Sequence, residues 1–223
     1  MDPHAVEALV KAIELKDLST AAHTWRVVLY TRALAESMHM NHEFIERVTL
    51  AAALHDVGKL DIPDEVLQKP GPLNDAEFDL MKTHTLRGHE RLLSLGEGDP
   101  IMLELVRHHH ERIDGRGYPD GLTADRIPAP ARFFSVIDSF DAMTSIRPYR
   151  TQVGPEAARH ALEELRTGIG SRYCAECVEA FVRLYASGEL DYILAYFNDS
   201  CPVPPIARIA DSRSIARTGR VSG

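Results

Sequence analysis

The chain has 223 residues, of which 44% are hydrophobic and 26% charged, a composition typical of one globular domain with a sizeable core. Its formal net charge of −8 and pI of about 5.7 argue against binding of DNA, RNA or an anionic membrane through a broad basic face. No segment approaches the ~18 apolar residues of a membrane span, and the N-terminus lacks the pattern of a signal peptide. Three cysteines are too few for a disulfide framework, so a cytoplasmic protein is expected.

Helical periodicity runs through almost the whole chain, and no useful stretch alternates with the period of a strand, so we expect an all-α fold. The predicted helices are, in chain order, Ala5–Lys16, Ser19 or Thr20 to Ser37, Asn41–His55, a short piece from Pro63-Asp64, Ala76–Leu95, Asp99 to the three consecutive histidines, Ala131–Thr144, Pro155–Arg166, Ala175–Ala186 and Leu190–Phe197. Residues 201–223 carry four arginines and one aspartate and are predicted to form a basic, disordered tail.

A long segment from Glu111 to Pro130 loses the helical pattern and is rich in glycine and proline. Loops of this length inside compact domains usually have a function or are disordered. The segment directly follows His108, His109 and His110. Its position therefore predicts a functional loop beside a histidine cluster.

Histidine is unusually frequent, because the chain has eleven and six of them lie between residues 55 and 110. The adjacent pair His55-Asp56 ends the most apolar predicted helix, where two polar groups without partners would be costly to bury. A neutral imidazole and a carboxylate are ligands that suit divalent Fe, Mn, Zn or Co. Taken alone, a His-Asp pair is more often a capping or surface pair, so other residues must decide.

Further candidate ligands lie on other predicted helices: His23, His84, the adjacent pair His109-His110, and Asp138, which interrupts an apolar run. Individually, His23 and His84 are more often structural histidines. Together with His55-Asp56 they provide five histidines and two aspartates on five helices, too many ligands for one tetrahedral zinc and enough for two ions that share a carboxylate.

These residues give the chain a resemblance to the HD-GYP family, a branch of the HD metal-dependent phosphohydrolases. The resemblance covers about residues 20 to 185, and its most specific part is the long signature His109-His110-Glu111 to Gly117-Tyr118-Pro119. The other matching stretches, in the family's order, are His23–Arg26, Leu54–Asp64, Lys69–Leu73, Met81–His84, Ala131-Arg132, Asp138–Ser145 and Arg147–Arg150.

The resemblance implies a five-helix HD core with additional C-terminal helices and a phosphodiesterase that hydrolyses cyclic di-GMP to linear pGpG. It divides the chain into an N-terminal helix (1–18), the HD-GYP domain (19–190), and a helix end with the basic tail (191–223). The ligands that it implies for two divalent ions, Fe or Mn before Zn, Co or Ni, are His23, His55, Asp56, His84, His109, His110 and Asp138. Asp56 bridges the two ions in this interpretation.

The resemblance also implies roles around the ions. A metal-bridging hydroxide attacks the phosphodiester, Lys59 lies beside the substrate phosphate, and Arg147 and Arg150 hold the dinucleotide. Gly117-Tyr118-Pro119 forms one wall of the site, where Tyr118 contacts substrate, and is the segment through which family members bind diguanylate cyclase domains. A charge such as that of Lys59 contributes about 2–4 kcal/mol when it stabilises a developing oxyanion.

One residue departs from the family pattern. Some members carry a glutamate one turn before the first ligand histidine, where it helps to hold a third ion, and here that position is Ser19. A neutral hydroxyl is a poor ligand for such an ion. The sequence therefore predicts a two-metal centre that stops at linear pGpG rather than GMP.

Two other function classes stay open at this point. One is a catalytically weak signalling or scaffold module that binds a partner through Gly117-Tyr118-Pro119. The other is an HD hydrolase of a different cyclic dinucleotide or phosphate ester. A separate feature, the pair Cys174 and Cys177, has the spacing of a metal pair, but no second pair follows, so two small residues on one helix are favoured.

Overall fold

The computed structural model describes residues 1–16, 21–145 and 155–196. Ser19, Arg147, Arg150 and the basic tail lie outside the described residues. The described residues form helices α1 to α11, which are Pro3–Lys16, Ala21–Ser37, His42–Leu54, Asp64–Leu67, Asp75–Lys82, His84–Ser94, Pro100–His108, Ala129–Thr144, Pro155–Thr167, Ala175–Ala186 and Asp191–Tyr196. Short 3-10 helices at Val57–Asp61 and Ala124–Arg126 complete the regular structure.

No strand occurs in this part of the chain, where only two isolated bridges pair residues, so the expected all-α fold is confirmed. Helix α2 is the most enclosed element, because Val27, Val28, Leu29 and Tyr30 are all completely buried. It packs against α3, α8, α10 and α11, while α3 and α8 also contact α7. Helices α2, α3, α7 and α8 hold the polar residues of the candidate site in the interior of this bundle.

The N-terminal helix belongs to the same core. Val6, Val10 and Ile13 of α1 recur at helical spacing and are buried against α3 and the 3-10 helix Val57–Asp61. None of the helices among the described residues is both long and apolar enough to cross a membrane. The boundaries at residues 18 and 190 stay predictions.

The predicted helix Ala76–Leu95 is wrong, since two helices, α5 and α6, replace it. Thr83 ends α5 by donating its amide hydrogen to the carbonyls of Leu80 and Met81, and its hydroxyl also donates to Leu80 at 2.6 Å. The apolar residues expected on one face therefore separate: Phe78 is 49% exposed, whereas Leu92 is completely buried. The break makes His84 the first residue of α6.

Two caps fix the helices that carry the candidate site. Asn41 accepts the amide of Phe44 at the start of α3, and Asp99 accepts the amide of Ile101 at the start of α7. Helix α3 then ends at Leu54 with His55 as its C-cap, and α7 ends at His108. The pairs His55-Asp56 and His109-His110 thus each follow the C-terminal end of a capped helix.

Candidate metal centre

The first group of candidate ligands lies where α2 meets the end of α3. It consists of His23, His55 and Asp56, whose ligand atoms lie within 4.8 Å of one another. All three residues are buried. His55 Nε2 is 3.1 Å from Asp56 Oδ2. Asp138, on α8, approaches the same imidazole, because its Oδ1 is 3.9 Å from His55 Nε2.

The second group joins the start of α6 to the end of α7. His84, His109 and His110 also place one ligand atom each within 4.8 Å of the others. The two Nε2 atoms of His84 and His109 face each other at 3.3 Å. His84 and His109 are buried and His110 is half-buried, so the group opens toward the surface on one side.

Asp56 lies between the two groups. While its Oδ2 faces His55, its Oδ1 is 3.5 Å from His84 Nε2 in the second group. One carboxylate can therefore direct one oxygen toward each group. All seven ligands that the resemblance implied are in this region, six in the two groups and Asp138 at its edge.

The imidazoles are held in one orientation by acceptors on their other nitrogen. Nδ1 lies 2.8 Å from the Ala52 carbonyl in His55, 2.8 Å from the Met81 carbonyl in His84, and 3.0 Å from the Val106 carbonyl in His109. Because a carbonyl only accepts hydrogen bonds, Nδ1 carries the hydrogen and Nε2 keeps its lone pair in a neutral ring. Metal-ligating histidines characteristically show this arrangement.

Burial and charge act differently across the cluster. Burial lowers the pKa of His84, lowers that of His109 well below its usual value, and lowers that of His110 to about 4 although Asp138 opposes the shift. Burial alone would also lower the pKa of His55, but Asp56 and Asp138 raise it to about 9. Burial would raise the pKa of Asp56, yet the surrounding cations and imidazoles hold it well below its usual range.

The donor set fits divalent metal ions. Imidazoles around an ionised carboxylate suit Fe, Mn, Zn, Co or Ni, and the number of donors exceeds what one tetrahedral ion uses. Asp138 lies 3.9 Å from His55, and Asp56 lies close to both groups. The arrangement is therefore suited to two ions on either side of that carboxylate.

Lys59 and Tyr118 both lie beside this cluster. Lys59, one turn after Asp56, places Nζ 2.8 Å from Asp56 Oδ2. The Tyr118 ring lies 4.8 Å from the His110 ring at an angle of 32°, and burial raises the pKa of its phenol. Tyr118 therefore remains a neutral hydroxyl at the open side of the second group.

The loop that carries Tyr118, residues 109–128 and hereafter the Gly-Tyr-Pro loop, is organised by a buried acid. Glu111 is 3% exposed, and its carboxylate accepts the amides of Asp120 at 2.7 Å and Leu122 at 2.9 Å. At Gly117, a Cβ would overlap the main chain of His110 and Glu111, so only glycine allows the loop to fold back so closely.

Sequence analysis missed a residue behind His23. Asp141, completely buried on α8, accepts the His23 Nδ1 hydrogen at 2.7 Å and also binds Arg26, with Nε at 2.5 Å. Ser145 donates to the same carboxylate at 2.9 Å. The available signal was a charged residue in an apolar helix, three positions after Asp138. Its partners His23 and Arg26, however, lie more than a hundred residues away in the sequence.

The other predicted features have different places. His108 lies outside both groups and contacts Asp120 at 3.0 Å. Arg112 and Asp114 pair inside the loop, with two hydrogen bonds of 2.6 and 3.1 Å. Cys174 and Cys177 lie at the N-cap and in the first turn of α10, outside the two ligand groups.

The fold and the site define a helical, metal-dependent class of protein with a buried histidine–aspartate centre. The chain belongs to the HD domain family, whose model matches residues 7–176. The relatives below confirm the resemblance to its HD-GYP branch.

Three curated relatives illustrate the match. A cyclic di-GMP phosphodiesterase of Thermotoga maritima is 42% identical over 80% of this chain and 48% of its own length. The cyclic di-GMP phosphodiesterase response regulator RpfG of Xanthomonas campestris is 38% identical over 89% of this chain and 51% of its own. The 3'3'-cGAMP-specific phosphodiesterase 1 of Vibrio cholerae is 34% identical over 64% of this chain and 33% of its own. The chain thus spans about half or less of these relatives.

A solved structure shares the fold at lower identity. Bd1817, an HDG"Y"P protein from Bdellovibrio bacteriovorus, matches with a TM-score of 0.60 and 20% identity, over 74% of this chain and 51% of that one. At this identity the likeness concerns the fold alone.

Proposed function

We propose that the chain is a metal-dependent phosphodiesterase that hydrolyses cyclic di-GMP to linear pGpG. The observation that carries the proposal is the position of Asp56, which turns one oxygen toward His55 and the other toward His84. Asp56 would thus bridge two ions, each held by imidazole donors from one group. The names of the Thermotoga and Xanthomonas relatives support cyclic di-GMP as the substrate.

His23, His55 and Asp138 would hold one divalent ion, His84, His109 and His110 the other, and Asp56 both. We favour Fe or Mn over Zn, Co or Ni because four mixed imidazole and carboxylate donors for each ion would leave positions open for water and substrate on a six-coordinate ion. A pair of such ions supplies an activated water nucleophile and polarises the phosphate oxygens. Elemental analysis of anaerobically purified protein should give close to two ions per chain, and less than half an equivalent would refute the centre.

The chain's own residues position the substrate and neutralise its charge. Lys59 contacts the carboxylate of Asp56, which supports a role for its ammonium group in stabilising charge on the phosphate oxygens. The neutral Tyr118 hydroxyl is placed to donate a hydrogen bond at the open side of the centre. Arg147 and Arg150 are assigned to dinucleotide binding by the resemblance alone.

These roles predict two different kinetic effects. Lys59→Ala should lower kcat by about 10²-fold or more, because its charge matters most when negative charge develops in the transition state. Arg147→Ala should raise KM with little change in kcat, because a remote contact binds ground and transition states alike. Steady-state kinetics of both variants check the division, and the same kinetic pattern in both would refute it.

The decisive experiment is a substrate panel. Manganese-loaded protein is incubated with cyclic di-GMP, 3'3'-cGAMP and cyclic di-AMP, and the products are separated by chromatography, with Asp56→Ala as the inactive control. Hydrolysis of cyclic di-GMP to pGpG, with GMP formed slowly or not at all, supports the proposal. No turnover of any of the three would overturn it in favour of a scaffold module.

Selectivity for 3'3'-cGAMP is the second candidate, because the chain is also 34% identical to a Vibrio cholerae phosphodiesterase named for that substrate. The roles proposed for the metal ligands, Lys59 and Tyr118 do not distinguish guanine from adenine. The ratio of kcat/KM for the two cyclic dinucleotides in the same panel decides between the candidates.

We further propose that Gly117-Tyr118-Pro119 binds diguanylate cyclase domains. Glu111 and the Arg112–Asp114 pair hold this segment in a fixed shape, as a docking loop requires. Binding of a purified diguanylate cyclase domain, measured by calorimetry, should weaken in Arg116→Ala, an exposed loop residue that touches neither ligand group. Equal binding by Arg116→Ala and by the exposed control Arg159→Ala would count against this loop as the docking site.

A further inference from the structure

Two cysteines that are not ligands of the proposed metal centre lie at the start of α10. Cys174 is the N-cap of this twelve-residue helix, and Cys177 lies three residues later. Cys174 is half-buried and open to solvent, whereas Cys177 is 7% exposed. The Cys174 side chain contributes to the raised pKa of the Cys177 thiol, so the two side chains interact.

The spacing of the pair permits a disulfide. Residues three apart on a helix have Cβ atoms about 5–6 Å apart, and a disulfide needs about 3.5–4.5 Å. The Cys174 backbone is extended, with φ −69° and ψ 127°, so its side chain approaches the first turn from outside the helix. Because Cys174 is the N-cap residue, outside the helix itself, a shift of its backbone can bring the two sulfurs to bonding distance.

The surroundings favour reaction at Cys174 and completion by Cys177. Cys174 is the more exposed of the two residues and makes no side-chain cap hydrogen bond, so its thiol is accessible to a disulfide in solution. Burial raises the pKa of the Cys177 thiol to about 12, with the Cys174 sulfur adding to the shift and Arg132 opposing it. Cys177 is therefore unreactive toward solutes, yet it is adjacent to Cys174.

We propose that Cys174 and Cys177 are a redox-active dithiol that a low-molecular-weight disulfide, such as oxidised glutathione, converts reversibly to an intrahelical disulfide. The Cys174 thiolate attacks one glutathione sulfur, which breaks the glutathione S–S bond and releases one reduced glutathione. The Cys177 thiol then gives its proton to solvent and attacks Cys174 Sγ, which releases the second reduced glutathione. Two cysteines are oxidised and one glutathione disulfide is reduced.

The modified turn adjoins the Gly-Tyr-Pro loop. Ser171, three residues before Cys174, accepts the amide hydrogen of Asp114 at 2.8 Å, and this bond anchors the loop to the segment that enters α10. Tyr173 connects the two points and closes the segment through its bonds with Gly168 and Gly170. The disulfide would thus form at the end of the segment that supports the loop.

The experiment uses the full, manganese-loaded chain with Cys201→Ser, so that Cys174 and Cys177 are its only cysteines. The protein is incubated with oxidised glutathione or with dithiothreitol, denatured, alkylated with iodoacetamide, and examined by intact and peptide mass spectrometry. In the same background, Cys177→Ala removes the buried thiol without adding a polar group, and Cys174→Ser keeps a good N-cap. Helical circular dichroism checks that each variant is folded.

Three results are expected. After oxidised glutathione neither cysteine of the Cys201→Ser protein is alkylated and its mass falls by two hydrogen atoms, whereas after dithiothreitol both are alkylated. Cys177→Ala retains one glutathione on Cys174, because nothing displaces it. Cys174→Ser remains unmodified at Cys177 over the same time. Full alkylation of the pair after oxidation, a lasting glutathione adduct in the Cys201→Ser protein, or equal modification of the two single-cysteine variants would overturn the proposal.

Discussion

The Asp141→Asn substitution tests whether the residue behind His23 positions a metal ligand or only stabilises the fold. Asp141 is completely buried and receives hydrogen bonds from His23, from two nitrogens of Arg26 and from Ser145. Asparagine keeps the shape of the side chain but removes the negative charge. The Asp141 carboxylate fixes the His23 ring and makes its other nitrogen more basic, and the substitution removes both effects.

Two effects follow from these contacts. Losing a carboxylate behind a ligating histidine costs about 10–100-fold in metal affinity, which is about 1.4–2.7 kcal/mol. Breaking a buried ion pair leaves Arg26 with less compensation and lowers the free energy of unfolding by about 3 kcal/mol, the lower end of the usual range because asparagine still accepts hydrogen bonds. The ion at His84, His109 and His110 should be unaffected, since Asp141 contacts none of these residues.

The assay is a manganese titration against a competing chelator, with urea unfolding of the metal-free protein measured in parallel. Asp79→Asn is the matched control, because its carboxylate is 70% exposed and pairs only across one helical turn with Lys82. We expect one weakened and one unchanged site in Asp141→Asn and two unchanged sites in the control. Two sites of wild-type affinity in a folded Asp141→Asn protein would show that Asp141 acts on stability alone.

Three further predictions concern the carboxylate of Asp56, the contact of Gly58 with α6 and the Asp99 cap of α7. Asp56→Ala should reduce bound metal by elemental analysis from two ions to none, while His23→Ala keeps one; two ions retained in Asp56→Ala would contradict the bridge. Gly58→Ala should lower the melting temperature by several degrees in calorimetry, because its Cβ would overlap the backbone of α6, whereas Gly98→Ala, with open space around it, should not; equal melting temperatures would refute the clash. Asp99→Ala should cost at least about 1 kcal/mol in urea unfolding at pH 7, because it removes the cap of α7 and the hydrogen bonds from Arg47. Although burial opposes it, hydrogen bonding from Arg47 and from the capped amides lowers the pKa of Asp99, so its contribution is present above its unfolded pKa of about 3.9 and is lost as pH falls through the lower folded-state pKa; a difference that does not shrink between pH 7 and pH 2 would contradict this assignment.

Local signals predicted most of the helices because they are short-range. Asn41, Asn74 and Asp99 each accept an amide of the turn that follows, so their caps could be identified from a few neighbouring residues. The break at Thr83 could not, because the apolar spacing continues across it. After the break, α6 packs against the 3-10 helix Val57–Asp61. Such a tertiary contact cannot be predicted from the spacing of apolar residues along the chain.

The candidate site divides in the same way. Its ligand types were predictable because imidazoles and carboxylates are rare at the ends of apolar helices, where burial would otherwise be costly. The residue that orients His23 was not, since Asp141 is 118 positions away and reaches it only after α2 and α8 have packed together. Spacing along the chain indicates which residues can bind a metal, whereas the partners that fix their tautomers depend on tertiary contacts.

Gly58 has a role that its place in the sequence does not reveal. Helix α3 ends at Leu54, and Gly58 lies inside the 3-10 helix that follows. There the missing side chain allows the main chain of the 3-10 helix to approach the start of α6 directly, where a Cβ would overlap the His84 carbonyl. The same close approach brings Asp56 within 3.5 Å of His84, so that one carboxylate reaches both ligand groups. A substitution that forces these two elements apart should therefore separate the two groups before it disrupts either of them, and loss of metal from the shared carboxylate should precede loss of the fold.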